Sequence, residues 1–130
     1  MGFVNRIKRV AFGVIEAPFN NRQKAVLADR ANYSKENFID FFDTSDNVPE
    51  IVWNIFQKEI VLDGFKPQPE DDIAYMFGIV DEDLRDLILE ALSNCHKLLP
   101  DEEQLGKMKP IKTIENLVNF ISICSYGNNG

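Results

Sequence analysis

One stripe of apolar side chains in the second half of the chain constrains the fold more than any other feature. Its members are spaced by three and four residues, which places them on one face of an α-helix: Leu84, Leu87, Ile88, Ala91, Leu92 and Cys95. The acids Asp81, Glu82 and Asp83 stand at the start of this segment, where the helix dipole favours negative charge. The pattern predicts a helix from about residue 81 with one buried face, which further elements must cover.

Similar spacing predicts helices on both sides of this segment. Before it, Asn47 is a candidate N-cap with Pro49 in the first turn, ahead of apolar residues at helical spacing. After it, Pro100 opens a short helical turn that ends near Gly106, and Thr113 is positioned to cap a last helix. No strand pair and no hairpin turn stands out, so the predicted class is all-α.

The connection between residues 62 and 80 has no strong periodicity and is long for a compact domain. It contains Gly64, Pro67 and Pro69, which interrupt regular elements. Its apolar end, from Ile73 to Phe77, is expected to pack into the core. We therefore predict an irregular connection that apolar side chains anchor at its C-terminal end.

The first 45 residues contain a second apolar stripe at helical spacing. Its members are Phe3, Val4, Ile7, Val10, Ala11 and Val14. The remaining face of this predicted helix has three cations, Arg6, Lys8 and Arg9. Pro18 is expected to end the helix. Two more helical pieces are predicted, one over about residues 23–30 and one that starts at Ser34.

Charge is distributed unevenly along the chain. Residues 1–30 have six basic and two acidic side chains, a net charge of +4, whereas residues 31–130 have eight basic and 19 acidic side chains, a net charge of −11. The overall charge of −7 argues against nucleic-acid binding, whose affinity comes largely from neutralised phosphates. We expect the basic N-terminal segment to pack on the acidic body. The alternative is that it lies on an anionic membrane surface.

The order of the predicted elements resembles an acyl carrier protein over residues 46–123. Gly78 precedes the helix at residue 81 as the family's glycine precedes its second helix. The sequence LPDEE at residues 99–103 is similar to the family's third-helix signature, and residues 111–121 are similar to its C-terminal helix. The resemblance implies an acyl-carrier-like four-helix bundle. Residues 1–45 would then be an additional helical segment packed on the body, and residues 124–130 a flexible tail.

The stretch in which a carrier protein holds phosphopantetheine on a serine has no hydroxyl in this chain. It reads GIVDEDL from Gly78 to Leu84, so Asp81 or Asp83 occupies the serine position, depending on the register. The nearest serine, Ser93, lies about three turns further along the helix. A carboxylate does not accept a phosphodiester-linked arm as a serine does, so no cofactor is expected. In this respect the chain resembles an uncharacterised bacterial family of acyl-carrier-like proteins with acidic residues at this site.

The acids of this helix lead to a functional hypothesis. Glu82, Asp83, Asp86 and Glu90 fall on the face opposite its apolar stripe. In carrier proteins the acidic second helix is the docking surface for basic patches on partner enzymes, and clustered charge steers association. The resemblance therefore implies a non-catalytic interaction or regulatory module that binds a protein partner with a basic patch through these four acids. The alternative interpretation is that the acids only solvate the helix.

Two other functions stay open at this point. One is that of a genuine acyl or peptidyl carrier, which the resemblance allows if the arm is attached at an atypical site. The chain would be a peripheral membrane protein if the basic N-terminal helix bound lipid. A membrane role is not favoured, because the polar face of that helix has only three cations and Arg6 stands where a myristoylation motif needs Ser or Thr.

Patterns typical of catalysis or metal binding are weak. The adjacent acids at residues 70–72 do not converge on one substrate and mark no cleft. Arg85 and Asp86 contradict a calcium loop that would start at Asp81. Cys95 belongs to the apolar stripe and His96 is the only histidine, so we predict no nucleophile–base pair and no zinc site. Two cysteines are too few for a disulfide framework, so a cytoplasmic protein is expected. Because the catalytic patterns are weak, no enzymatic activity is expected.

Overall fold

The computed structural model describes residues 18–59, 64–106 and 110–127. These ranges contain seven α-helices: α1 (Pro18–Leu27), α2 (Lys35–Phe41), α3 (Val48–Glu59), α4 (Ile73–Phe77), α5 (Asp81–Asn94), α6 (Glu102–Gly106) and α7 (Ile114–Ile123). A 3-10 turn, Ala28–Arg30, follows α1. The described residues form no β-strand, only two isolated bridges. The prediction of an all-α protein is therefore confirmed for this part of the chain.

The starts of α2 and α7 are set by capping boxes. The hydroxyl of Ser34 accepts a hydrogen bond from the backbone N–H of Asn37, and the amide oxygen of Asn37 accepts one from the N–H of Ser34. Thr113 and Asn116 make the same reciprocal pair at α7, with N···O distances of 3.0 and 3.1 Å. Each pair satisfies N–H groups that have no partner inside the helix. The helix starts predicted at Ser34 and Thr113 are thus confirmed.

The core lies where α3, α5 and α7 pack against one another, with α2 against α3. Its most deeply buried side chains each expose less than 2% of their surface: Phe38, Val48, Val52, Phe65, Ile73, Leu87, Ile114, Leu117, Val118 and Ile121. Leu87, Ala91, Leu92 and Cys95 of the predicted stripe are buried, and Leu84 and Ile88 pack against the same cluster. The more specific expectation, that the helices form an acyl-carrier-like four-helix bundle, stays a prediction.

The connection before α5 is more regular than expected, because it contains α4. Asp72 caps this helix by accepting a hydrogen bond from the N–H of Tyr75 at 2.8 Å, and Gly78 ends it in the left-handed conformation, with φ of 69°. Five residues are too few to show a helical period, so the sequence pattern did not reveal the element. Its apolar side chains Ile73, Met76 and Phe77 are buried as expected, whereas Tyr75 is exposed.

Residues 18–45 pack on the rest of the described chain through polar contacts as well as apolar ones. The guanidinium of Arg30 donates to both carboxylate oxygens of Asp71, at 2.7 and 2.5 Å, and this pair is buried. Gln23 is fully buried and its amide donates to the carbonyl of Met76 at 3.0 Å. Pro18, expected to end a preceding helix, is the first residue of α1, which begins earlier than the piece predicted at residue 23. The basic amphipathic helix predicted within residues 1–17 lies outside the described residues.

The C-terminal end of the described chain is hydrogen-bonded to the segment after α5. Backbone hydrogen bonds of 2.8 Å join Leu98 to Ser125 and Gly127 to His96. The buried ammonium of Lys97 donates to the carbonyls of Ile121 and Ser122 at 3.1 and 3.0 Å. Residues 124–127 therefore make specific contacts, although the sequence places them in a tail, and residues 128–130 lie outside the described part of the chain.

None of the helices in the described ranges is both long enough and apolar enough to cross a lipid bilayer.

Candidate functional site

The four acids of the functional hypothesis all lie on α5, and they differ in exposure. Glu82 is exposed, whereas Asp83, Asp86 and Glu90 are partly buried. Burial raises the pKa of Glu90, and the nearby ammonium of Lys58 on α3 acts in the opposite direction. Glu82, Asp83 and Asp86 each take part in a polar interaction within the chain. The four acids thus form a negatively charged side of α5. Because some of them interact with other groups of the protein, this side is not fully solvated.

Asp81, one of the two residues at the expected serine position, has an unusual backbone. It is the first residue of α5, follows the extended Val80, and has a φ of 48°. Positive φ is uncommon outside glycine, although aspartate tolerates it better than most residues. Its side chain is exposed and lines the rim of a cleft. Asp81 thus presents an exposed carboxylate where the sequence, aligned on Gly78, led us to expect the counterpart of the carrier serine.

The cleft beside Asp81 is apolar and has a volume of about 470 Å³. It is bounded by α5, α6 and α7, by Leu99 in the segment after α5, and by Pro110 and Ile111, which precede α7. Its apolar lining includes Leu84, Ile88, Leu89, Leu99, Leu105 and Phe120. Asp81 and Arg85, one helical turn apart on α5, supply charged groups to its wall. The sequence could not reveal this cleft, because its walls come from residues as far apart as 81 and 120.

A second cleft, of about 450 Å³, adjoins the first at Leu99, which lines both. Large apolar side chains at the two clefts remain exposed, by 37% for Leu105, 40% for Leu89, 51% for Leu99, 54% for Leu98 and 71% for Ile123. We call these five residues the Leu99 surface. An apolar surface of several such side chains, next to charged ones, is typical of an interaction site.

Other chemistry-bearing residues have structural roles. Burial raises the pKa of Cys95 to about 11 and also raises that of Cys124, so both thiols stay protonated at neutral pH. Asp71 pairs with Arg30 and Asp72 caps α4, so these neighbouring acids have separate structural roles. Across the described ranges, no three His, Cys, Asp or Glu side chains are grouped as a metal site needs. The described residues thus present an apolar and acidic surface as the candidate site.

No protein-family model, no curated protein and no solved structure matches this chain. The features of the described chain that bear on its function are therefore the Leu99 surface and the acids of α5.

Proposed function

We propose that this protein is a non-catalytic, acyl-carrier-like interaction module that binds a basic partner through α5. The observation that supports the proposal is the position of the exposed Leu89 beside the acids on one helix, α5. Leu89 lies one turn after Asp86, so a member of the Leu99 surface and an acid of α5 are neighbours on the helix surface. Glu82 lies one turn before Asp86 and extends the acidic side towards the start of α5.

The two kinds of residue would contribute differently to binding. Acids steer a basic partner to the surface and select against acidic ones, with a modest effect on affinity. Apolar side chains that become buried supply most of the affinity, as in the centres of protein interfaces. The partner that fits this surface therefore presents lysine or arginine side chains around an apolar anchor.

The absence of a hydroxyl at the carrier position favours interaction over acyl transfer. Asp81 and Asp83 provide only carboxylates there. Ser93 is exposed, but it lies near the opposite end of α5, about 18 Å along the helix axis from Asp81. An arm attached to Ser93 would therefore start near the opposite end of α5 from the position that the carrier-like arrangement assigns to it.

Charge reversal on α5 tests the docking surface. The variant Glu82→Lys/Asp86→Lys changes two acids one turn apart, and we expect it to retain severalfold less partner protein from a native-host extract than the wild-type chain retains. The matched control is Glu36→Lys/Asp40→Lys, which changes two exposed acids at the same spacing on α2. Proteins retained by the wild type and the control but lost by the α5 variant are the partners. Equal retention by all three chains would remove the docking claim.

Intact mass separates this function from that of a genuine carrier. We expect no added mass after co-expression of the full chain with a broad-specificity phosphopantetheinyl transferase. A known carrier protein expressed in the same cells is the positive control. An increase corresponding to one phosphopantetheine group would show that an arm is attached, and the interaction-only function would then be abandoned.

A further inference from the structure

We propose that the cleft beside Asp81 binds a zwitterionic amphiphile that has one alkyl chain and a head with a phosphate and an ammonium group. The alkyl chain would lie against the leucines of the cleft, and the two head charges would pair with Asp81 and Arg85. Such a ligand goes beyond the proposed function, because it is a small molecule and contacts α5 through residues other than the four docking acids.

The cleft has the size and the lining of a site for a small apolar body. Its volume of about 470 Å³ lies within the range of roughly 300 to 1,000 Å³ that is usual for small-molecule sites. Phe120 is buried at its wall, whereas Leu89, Leu99 and Leu105 remain 40%, 51% and 37% exposed. An alkyl chain that covered these three leucines would remove apolar surface from water on both molecules, which supplies the affinity.

Two opposite charges lie on the wall of this cleft. Asp81 and Arg85 are four residues apart on α5, so their Cβ atoms lie about 6 Å from each other on the helix surface. Both side chains are exposed, and the ion pairs formed between described residues involve neither of them. The cleft therefore offers a ligand one free cation and one free anion beside its apolar lining.

These two charges select the head group. A guanidinium binds the oxygens of a phosphate through two parallel hydrogen bonds, and a carboxylate attracts an ammonium group. In a phosphocholine or phosphoethanolamine head the two charges are joined by two carbons, a spacing comparable with that of the two side chains. A purely anionic head would meet Asp81 and a purely cationic head would meet Arg85, and like charges disfavour both.

Calorimetry of the full chain with dodecylphosphocholine tests the proposal. This probe has one alkyl chain and a zwitterionic head, and it is added below the concentration at which it forms micelles. Phosphocholine, which lacks the chain, and dodecyltrimethylammonium, which lacks the phosphate, are the comparison probes. We expect the wild type to bind one molecule of dodecylphosphocholine saturably and phosphocholine not measurably, because the apolar contact supplies the affinity.

A pair of substitutions with matched exposure tests the place of the alkyl chain. Leu99→Asp puts a charge against the chain and is expected to weaken dodecylphosphocholine binding severalfold, because that charge loses water when the chain binds. The matched control is Phe41→Asp on α2, since Phe41 is also 51% exposed and lines neither cleft. The control should bind the probe as the wild type does. Equal affinities of the two variants would overturn the assignment of the cleft.

Two further substitutions test the head group. Arg85→Gln is expected to weaken dodecylphosphocholine binding severalfold and to leave dodecyltrimethylammonium binding unchanged, because only the first probe has a phosphate. Asp81→Asn is expected to weaken both, and asparagine tolerates the φ of 48° at this position.

Two results would overturn the proposal. One is the absence of saturable dodecylphosphocholine binding by the wild type, and the other is a loss in Arg85→Gln that is equal for the two charged amphiphiles. No partner protein is present in these titrations, so their failure leaves the proposed function to the retention experiment.

Discussion

Single buried residues hold the N-terminal helices to the rest of the described chain, and Arg30 is the clearest case. Its guanidinium pairs with Asp71, donates to the carbonyl of Lys66 at 2.9 Å and lies 5.0 Å from the centre of the Phe65 ring. We predict that Arg30→Ala lowers the free energy of unfolding by about 3 kcal/mol or more, because it leaves a buried carboxylate without its partner. Urea denaturation monitored by circular dichroism measures this loss.

The control for Arg30 is a surface ion pair of similar type. Lys35 and Glu50 lie 2.8 Å apart, with about a third to a half of each side chain exposed to solvent. Lys35→Ala is expected to cost less than about 1 kcal/mol, because solvent screens an exposed pair. Similar losses for the two variants would contradict the structural role assigned to Arg30. No sequence pattern indicated the pair of Arg30 and Asp71, since these two residues are 41 positions apart.

Cys95 predicts a dependence of stability on alkaline pH. Burial raises its pKa from 9.0 to about 11, so the folded protein keeps a proton that the unfolded chain releases. The corresponding stabilisation is complete below pH 9.0 and is lost as the pH rises towards 11. We expect the free energy of unfolding to fall over this range by up to about 2 kcal/mol more in the wild type than in Cys95→Ala. Parallel pH profiles for the two proteins would show that the thiol is not shielded.

Among the helices, the long ones with a clear apolar period were predictable and the short buried one was not. The helix starts at Ser34 and Thr113 follow from capping residues, and α3 begins directly after the predicted N-cap Asn47. Capping residues and apolar spacing are local properties of the sequence. The helix α4 depends instead on burial of Phe77, whose ring lies 4.9 Å from that of Phe56 and 5.8 Å from that of Phe65. Contacts of this kind join distant segments, so no local pattern indicates them.

The N-terminal cap of α7 is expected to contribute measurably to the stability of the protein. Removing the hydroxyl in Thr113→Ala is expected to lower the free energy of unfolding by about 1 kcal/mol, because it leaves the N–H of Asn116 without its acceptor. Thr113→Ser keeps an oxygen at the same position and should restore most of the loss. Thermal or urea unfolding of the three proteins compares them. An equally stable Thr113→Ala would contradict the importance of this cap for α7.

For the molecule as a whole, the sequence indicated the charge pattern and the acids of the site, but not the surface beside them. Glu82, Asp83, Asp86 and Glu90 are recognisable because they share one helix. The Leu99 surface combines residues from α5, α6, α7 and the segment after α5, and only the packed chain brings them together. The structure also shows that Asp83, Asp86 and Glu90 are partly buried, whereas helical periodicity indicated only that they share the face opposite the apolar stripe.

The most direct measurement of the central claim is the salt dependence of partner binding. With a protein captured by the wild-type chain, dissociation constants are measured by calorimetry at low and high salt for the wild type, Glu82→Lys/Asp86→Lys and Glu36→Lys/Asp40→Lys. We predict weaker binding and a flatter salt dependence for the α5 variant alone, because screening acts on the charges that steer the partner. If all three proteins bind with the same affinity and the same salt dependence, α5 is not the docking surface.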